Sequence, residues 1–289
     1  MRISLITACY NAEKTIADAM ASVASQQGSG IGDQGSGVEI EYIVVDGGST
    51  DGTVGLIKEW EKKFVEKSVR EGADSTVFRW LSEKDRGMYD ALNKGIRMAT
   101  GDVIGLLNAD DVLAEDDTLA KIAAAFADPT IDGTYGDIRF VKENDHCRPT
   151  PTTNTSVRNS RTVRYCSGKW FRPWMFRFGT QTAHPSTFFR KECFAKWGAY
   201  SLDYGMYGDF ELLCRFIWKN KARMKYLPIC TTVMRMGGAS TDGWRTTLRI
   251  NCSDLRALKA NGCWSCLLFL YSRYLVKIWG FVFKRRKPL

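Results

Sequence analysis

Four short apolar runs, each followed by a stretch of helical periodicity, constrain this chain more than any other feature. Residues 3–7, 41–45, 77–81 and 102–107 read as strands. Between them, residues 12–26 carry Ile16, Met20 and Val23 at helical spacing, a helix capped by Asp51 is expected from near Thr53, and Met88, Leu92 and Ile96 mark another. Near-continuous apolar strands alternating with amphipathic helices predict an α/β chain with a mostly parallel, Rossmann-like sheet and right-handed crossovers. In open sheets of this kind ligands bind beyond the carboxyl ends of the strands. The fourth run breaks there into Asn108-Ala109-Asp110-Asp111, so its acids fall where a ligand would. The same residues also suit a turn and a helix cap, as do Glu115, Asp116 and Asp117.

Composition narrows the choice of partner. The chain has 289 residues, 44% of them hydrophobic, enough for one principal domain with a substantial core. Its formal charge of +9 favours anionic partners: nucleotide diphosphates, acidic headgroups or nucleic acid. Nine scattered cysteines fit a reducing cytosol better than a disulfide framework, and Cys263-Trp264-Ser265-Cys266 is a lone CxxC without a second ligand pair. The first apolar run is short and leads straight into the sheet, so no secretory signal is expected. Residues 28–37 form a Gly/Ser-rich stretch, read as a flexible, non-catalytic lengthening of the first crossover.

The tail differs from the rest. Residues 264–283 are strongly apolar and aromatic, with Lys284-Arg285-Arg286-Lys287 beyond them. Arg273, Lys277 and Lys284 fall on one narrow helical stripe against a wide apolar face. Two cations within a span are costly inside a bilayer, whereas the same pattern suits an interfacial helix on an anionic membrane, or a helix packed on the domain or a partner subunit. The chain therefore divides into a domain over 1–243 and a helical, membrane-associating extension over 244–289. Residues 142–178 take no confident assignment; their aromatics and arginines suit an acceptor lid or a self-packed loop.

An ordered set of motifs runs through the first three quarters of the sequence. It comprises residues 5–11 (Leu-Ile-Thr-Ala-Cys-Tyr-Asn), 44–53 (Val-Val-Asp-Gly-Gly-Ser-Thr-Asp-Gly-Thr), 83–95 around Asp85, Asn93 and Lys94, and Asn108-Ala109-Asp110-Asp111. Further on come His184-Pro185-Ser186-Thr187, Gly208-Asp209-Phe210-Glu211 with Arg215, and Met236-Gly237-Gly238 after Arg235. This set resembles the inverting nucleotide-sugar glycosyltransferases of family two, with the GT-A fold, and most of all the bacterial colanic-acid and O-antigen exopolysaccharide enzymes. The resemblance implies transfer of a sugar from a nucleotide-diphosphate donor, UDP-linked, to a hydroxyl of a saccharide or lipid-linked saccharide acceptor. It also implies Mn²⁺ or Mg²⁺ as cofactor and a cytoplasmic enzyme, peripheral on the cytoplasmic face of the inner membrane.

Residue roles follow from the resemblance. Thr7, Ala8, Cys9, Tyr10 and Asn11 wall the nucleotide base, and Asp46 accepts an imide N–H of its ring, unless Asp46 is only a turn residue. Asp85, Asn93 and Lys94 are donor-site residues, with a cap and a solvated lysine as the alternatives. Asn108 stands where the family more often has an acid, and an amide is a poor charged ligand for a hard cation. Asp110 thus carries the metal duty, with Ala109 beside it and Asp111 assisting or capping. Asp209 matches the family's general base, at the start of a helix rich in apolar residues, where it also suits an N-cap; Glu211 is the reserve. His184 and Arg235 line the site, and Arg215 pairs with a carboxylate or phosphate. Two other classes compete: a non-catalytic nucleotide-sugar scaffold, separated by donor turnover, and a nucleic-acid-binding protein, against which no RNA-binding motif appears and the ligand edge carries acids.

Overall fold

The computed structural model describes residues 1–26, 38–71, 76–142, 155–236 and 243–282. The expected βα alternation opens the chain: β1 (Arg2–Cys9), α1 (Ile16–Ala24), β2 (Glu39–Asp46), α2 (Thr53–Glu71), β3 (Thr76–Ser82), α3 (Met88–Met98) and β4 (Val103–Leu106). Asp51 caps α2 as the sequence predicts, its Oδ1 accepting from the Thr53 N–H at 3.0 Å. Then come β5 (Val112–Leu113), α4 (Thr118–Ala125), β6 (Gly133–Val141), the single turn α5 (Thr155–Arg158), β7 (Thr162–Cys166), β8 (Thr187–Arg190) and α6 (Lys191–Trp197). The chain closes with α7 (Gly208–Leu213), which runs on as a π turn over Cys214–Lys219, then β9 (Met224–Arg235), α8 (Gly243–Ala260) and α9 (Leu267–Val282).

The strands form one sheet in the order β3-β2-β1-β4-β8-β6-β9-β5, with β7 paired to β6. Its first half is parallel, and β8 then enters antiparallel between β4 and β6, so the sheet becomes mixed. That reversal matters for function, because β8 runs against β4 and its amino end, preceded by His184–Ser186, lies at the edge where β1, β2 and β4 finish.

Alternation along the strands sorts two cores onto the two faces. Leu5, Tyr42 and Val44 pack with Ile16, Met20 and Ile57 on one face. Ile6, Ile43 and Val45 pack with Leu92, Ile96, Phe189 and Phe216 on the other. Gly105 is required where the reversed strand meets β4, since a Cβ there would lie 2.0 Å from the Phe188 ring. The helices after residue 243 share the second core through Ala257, Leu258, Cys263 and Leu270, so they are built onto the sheet domain and not appended to it. Among the described residues, no helix is long and apolar enough to cross a membrane.

Candidate active site

The carboxyl edge is organised by Asp46, the last residue of β2. Its buried carboxylate accepts from the Gly48 and Ser49 N–H groups at 3.1 and 3.0 Å, from the Ser49 hydroxyl, and from the Ser82 hydroxyl at 2.6 Å. Burial opposes its charge, yet these donors hold the carboxyl below the usual range. Asp46 is thus the ordering residue of loop 47–52, which its oxygens hold in place. Asn11, at φ +50°, fastens the facing loop by accepting from the Thr50 N–H at 2.9 Å. Thr7 lies beneath, bonded to the Tyr42 hydroxyl at 3.0 Å, Cys9 is buried against Asp46, and Tyr10 and Asn11 are exposed.

Asp85 reaches the same loop. Its Oδ1 accepts from the Gly87 N–H at 2.8 Å, and its Oδ2 sits so close that a Cβ on Gly47 would be 2.4 Å away. Two other expected donor-site residues have structural partners instead. Lys94 pairs with Glu83 at 2.9 Å and donates to the Lys84 carbonyl at 3.1 Å. Asn93 clamps the Tyr200 main chain, giving and taking one hydrogen bond of 2.9 Å each.

Beyond β4, Asn108 donates to Asp111 at 2.7 Å. Asp111 is buried, and burial together with the neighbouring Asp110 charge pushes its carboxyl up to about 8. Among the described residues, its second oxygen has no hydrogen-bond partner. Asp110 is only half-buried; Arg235 donates to its main-chain oxygen at 2.6 Å and pairs with Asp18, so Arg235 braces the tip from behind. Among the described residues no three acidic, His or Cys side chains converge on one point. The donor chemistry still fits a hard divalent ion of the kind that takes one or two carboxylates and completes its shell with water and phosphate: Asp110 is accessible, and Asp111 keeps an unused oxygen beside it.

The second pole of the site is Asp209 on α7. Tyr89 of α3 accepts from the Asp209 N–H at 3.0 Å, and its hydroxyl lies 3.3 Å from Oδ1; Gln181 donates to Oδ2 at 3.0 Å. The carboxylate is therefore held from outside its own helix and is not spent as an N-cap, the cap position being Tyr207. Tyr89 stacks on Tyr200 at 5.1 Å, and the Tyr200 hydroxyl meets His184 Nε2 at 2.6 Å. Burial keeps the His184 pKa low against the pull of Asp209, so the ring is a neutral partner. Beside Asp209 opens a cavity of about 340 Å³, whose walls include Gly179, Gln181, Arg249, Asp254 and Arg273.

Glu211 and Arg215 are removed from this chemistry. Glu211 is buried, and Arg215 grips both its oxygens at 2.9 Å while donating to the Gly198 and Ala199 carbonyls at 2.9 and 2.7 Å. Positions 209 and 211 lie about 200° apart around a helix, so one faces the cavity and the other the core. Sequence reasoning missed Tyr89, Gln181 and Tyr200. Tyr89 sits inside the 83–95 motif, but nothing local marks its hydroxyl as the partner of a residue 120 positions away. His146 and Gly237-Gly238 lie outside the described residues.

Comparison with known proteins finds relatives in sequence and in fold. A PGL/p-HBAD biosynthesis glycosyltransferase of Mycobacterium bovis (strain BCG / Pasteur 1173P2) is 29% identical over 61% of this chain, which spans 58% of that protein's length. Poly-beta-1,6-N-acetyl-D-glucosamine synthase of Staphylococcus epidermidis is 30% identical over 48% of this chain and 29% of its own. S. aureus TarS 1-349 in complex with UDP-GlcNAc superposes with a TM-score of 0.52 at 19% identity, covering 88% of this chain and 67% of that 1-349 chain. The mannosyltransferase PcManGT from Pyrobaculum calidifontis, in complex with GDP-Man and Mn²⁺, gives 0.54 at 18% identity, covering 97% and 80%. These similarities share one architecture, and the family model described as "Glycosyl transferase family 2" matches residues 4–194, from β1 into α6. With the match extending over more than half of its length, the chain belongs to glycosyl transferase family 2.

Proposed function

We propose that this glycosyltransferase moves a sugar from a nucleotide-diphosphate donor, UDP-linked, to a hydroxyl of a saccharide or lipid-linked saccharide in cell-surface polysaccharide synthesis, with inversion. The observation that carries this reading is Asp209. It is a carboxylate oriented by two neutral donors from other elements, beside a cavity, joined through Tyr89 to the helix that carries the donor motif of residues 83–95. Inversion by direct displacement needs one base that takes the acceptor proton as its oxygen attacks the anomeric carbon, and a fixed carboxylate suffices.

In this mechanism the acceptor hydroxyl lies in the cavity and gives its proton to the Asp209 carboxylate. Tyr89 and Gln181 keep that carboxylate from rotating away, and neutral His184 steadies the Tyr200 hydroxyl behind them. Loop 47–52, held by Asp46, and Asp85 shape the donor side. Asp110, with Asp111 beside it, would hold Mn²⁺ or Mg²⁺, whose charge offsets that of the departing diphosphate. We further propose that the protein works on the cytoplasmic face of an anionic membrane, which its charge of +9 and its apolar tail support.

A thermal-shift screen of UDP- and GDP-sugars with and without Mn²⁺ tests the donor class, since a ligand that binds only the folded state raises its apparent stability. The expected result is a metal-enhanced shift with one UDP-sugar; no shift with any nucleotide sugar would refute it.

A further inference from the structure

Of the three cations that the sequence places on one stripe of the tail, Arg273 is the one whose side chain is described. Arg273 is turned into the protein, where it donates to the Gly179 carbonyl and Asp254 at 2.8 Å each and to Asn251 at 2.7 Å. Side chains from Lys277 onward lie outside the described residues. Just before α9, Trp264 is 65% exposed, and on the first turns of the helix, away from Arg273, Leu268 is 77% exposed and Tyr271 partly so.

This surface continues onto the main domain. Phe269 of α9 stacks on Phe178 at 4.9 Å, Trp264 meets Phe269 edge-on at 5.5 Å, and Trp174 meets Phe178 edge-on at 5.9 Å. Trp174, in the 3₁₀ turn Pro173–Phe178, is itself 56% exposed. Two separate elements thus raise one aromatic ridge. Exposed Lys169 and Arg172 border it, the Lys169 ammonium lying 5.4 Å from the centre of the exposed Trp170 ring. After α9 the sequence carries Lys284-Arg285-Arg286-Lys287, followed by Pro288 and Leu289. Tryptophans flanked by cations match the headgroup region of an anionic bilayer, where the rings meet the acyl boundary and the cations the phosphates.

The ridge also borders the cavity. Gly179 and Gln181 follow Phe178 directly in the chain, Arg273 is one helical turn beyond Phe269, and all three line the space beside Asp209. We propose that Trp174, Trp264 and Leu268 form a two-element docking surface for an anionic lipid bilayer, which sets the Asp209 cavity at the lipid interface so that the acceptor is lipid-linked. The second clause rests on the reading of Asp209 as the base; the docking surface does not.

The test uses the full-length protein with sucrose-loaded vesicles of phosphatidylglycerol and phosphatidylethanolamine, against phosphatidylcholine alone. Wild type should sediment with the anionic vesicles, and Trp174→Ser and Trp264→Ser should each weaken partitioning by about tenfold, the loss of one interfacial aromatic. These side chains are exposed, so the variants should melt as wild type does. Brominated phosphatidylglycerol should also quench wild-type tryptophan emission, and Trp174→Phe should remove part of the quenched signal. Undiminished partitioning of Trp174→Ser, absence of quenching on bound vesicles, or no wild-type binding would each overturn the proposal. So would a lipid-free dimer, seen by light scattering, that the same substitutions dissociate. No readout involves sugar transfer, so failure here and failure of the Asp209 reading are separable.

Discussion

Replacing Arg215 with alanine should destabilise this fold more than most single substitutions, and the structure indicates by how much. The guanidinium makes two bonds of 2.9 Å to the buried Glu211 carboxylate and also donates to three consecutive main-chain carbonyls, Trp197, Gly198 and Ala199. Its removal leaves Glu211 with Asn261 at 3.2 Å and leaves the end of α6 without its donor. Breaking a buried pair from one side costs about 3–5 kcal/mol, because a charge remains without compensation. Against a total stability of about 5–15 kcal/mol, that is a large fraction. The melting temperature should fall by roughly 6–12 °C, at about 2 °C or slightly more per kcal/mol for a chain of this size. Glu211→Gln keeps the carbonyl contacts of Arg215 and should cost less, about 1–3 kcal/mol. Urea unfolding followed by circular dichroism measures both, and the double variant gives their coupling. A cost below about 1 kcal/mol for Arg215→Ala would refute the argument that this pair is structural.

Three further outcomes are expected. Asp110→Ala should abolish the Mn²⁺-dependent part of donor binding while leaving the urea midpoint unchanged, and titration calorimetry that finds metal-stimulated affinity intact would count against Asp110 as the metal ligand. Asp46→Asn should cost about 2–4 kcal/mol near neutrality, because an amide N–H then faces groups that donate. The folded Asp46 carboxyl lies below its unfolded value near 3.9, so its contribution is present above that pH and lost below it; the gap between wild type and variant should close under acid. His184 shows the same sense in a higher pH window: its folded pKa is depressed by burial, so stability is complete above about 6.5 and falls as the unfolded state takes up a proton below it. His184→Gln should flatten the urea midpoint between pH 6.5 and 5, and an unchanged slope would show that His184 is not the group responsible.

The first half of the sheet was legible because β1, β2 and β4 are largely buried and carry apolar runs such as Ile43-Val44-Val45. The mixed half was not. β7 exposes Thr162, Val163 and Arg164 alike, so this edge strand carries no periodic signal, and β5 is two residues long. Within the site, types and positions were readable but partners were not. Asp46 and Asp209 are both acids beside turns, and only the tertiary structure tells a carboxylate spent on its own loop from one held open by Tyr89 and Gln181. Arg273 is the sharpest case. Helical spacing puts it on a stripe with Lys277 and Lys284, but Asp254 and Asn251 on the preceding helix draw it into the protein. The inward turn of Arg273 depends on packing between α8 and α9, which no local pattern records.

The central claim, that Asp209 is the base of an inverting transfer, is tested most directly by Asp209→Asn in the full-length protein with the UDP-sugar found by thermal shift. The amide preserves shape but cannot take the proton, so donor affinity should persist while transfer falls by about 10²–10⁴. The wild-type product from an α-linked donor should be β-linked by NMR. Near-normal transfer by the Asn variant, or a product of retained configuration, would contradict the account.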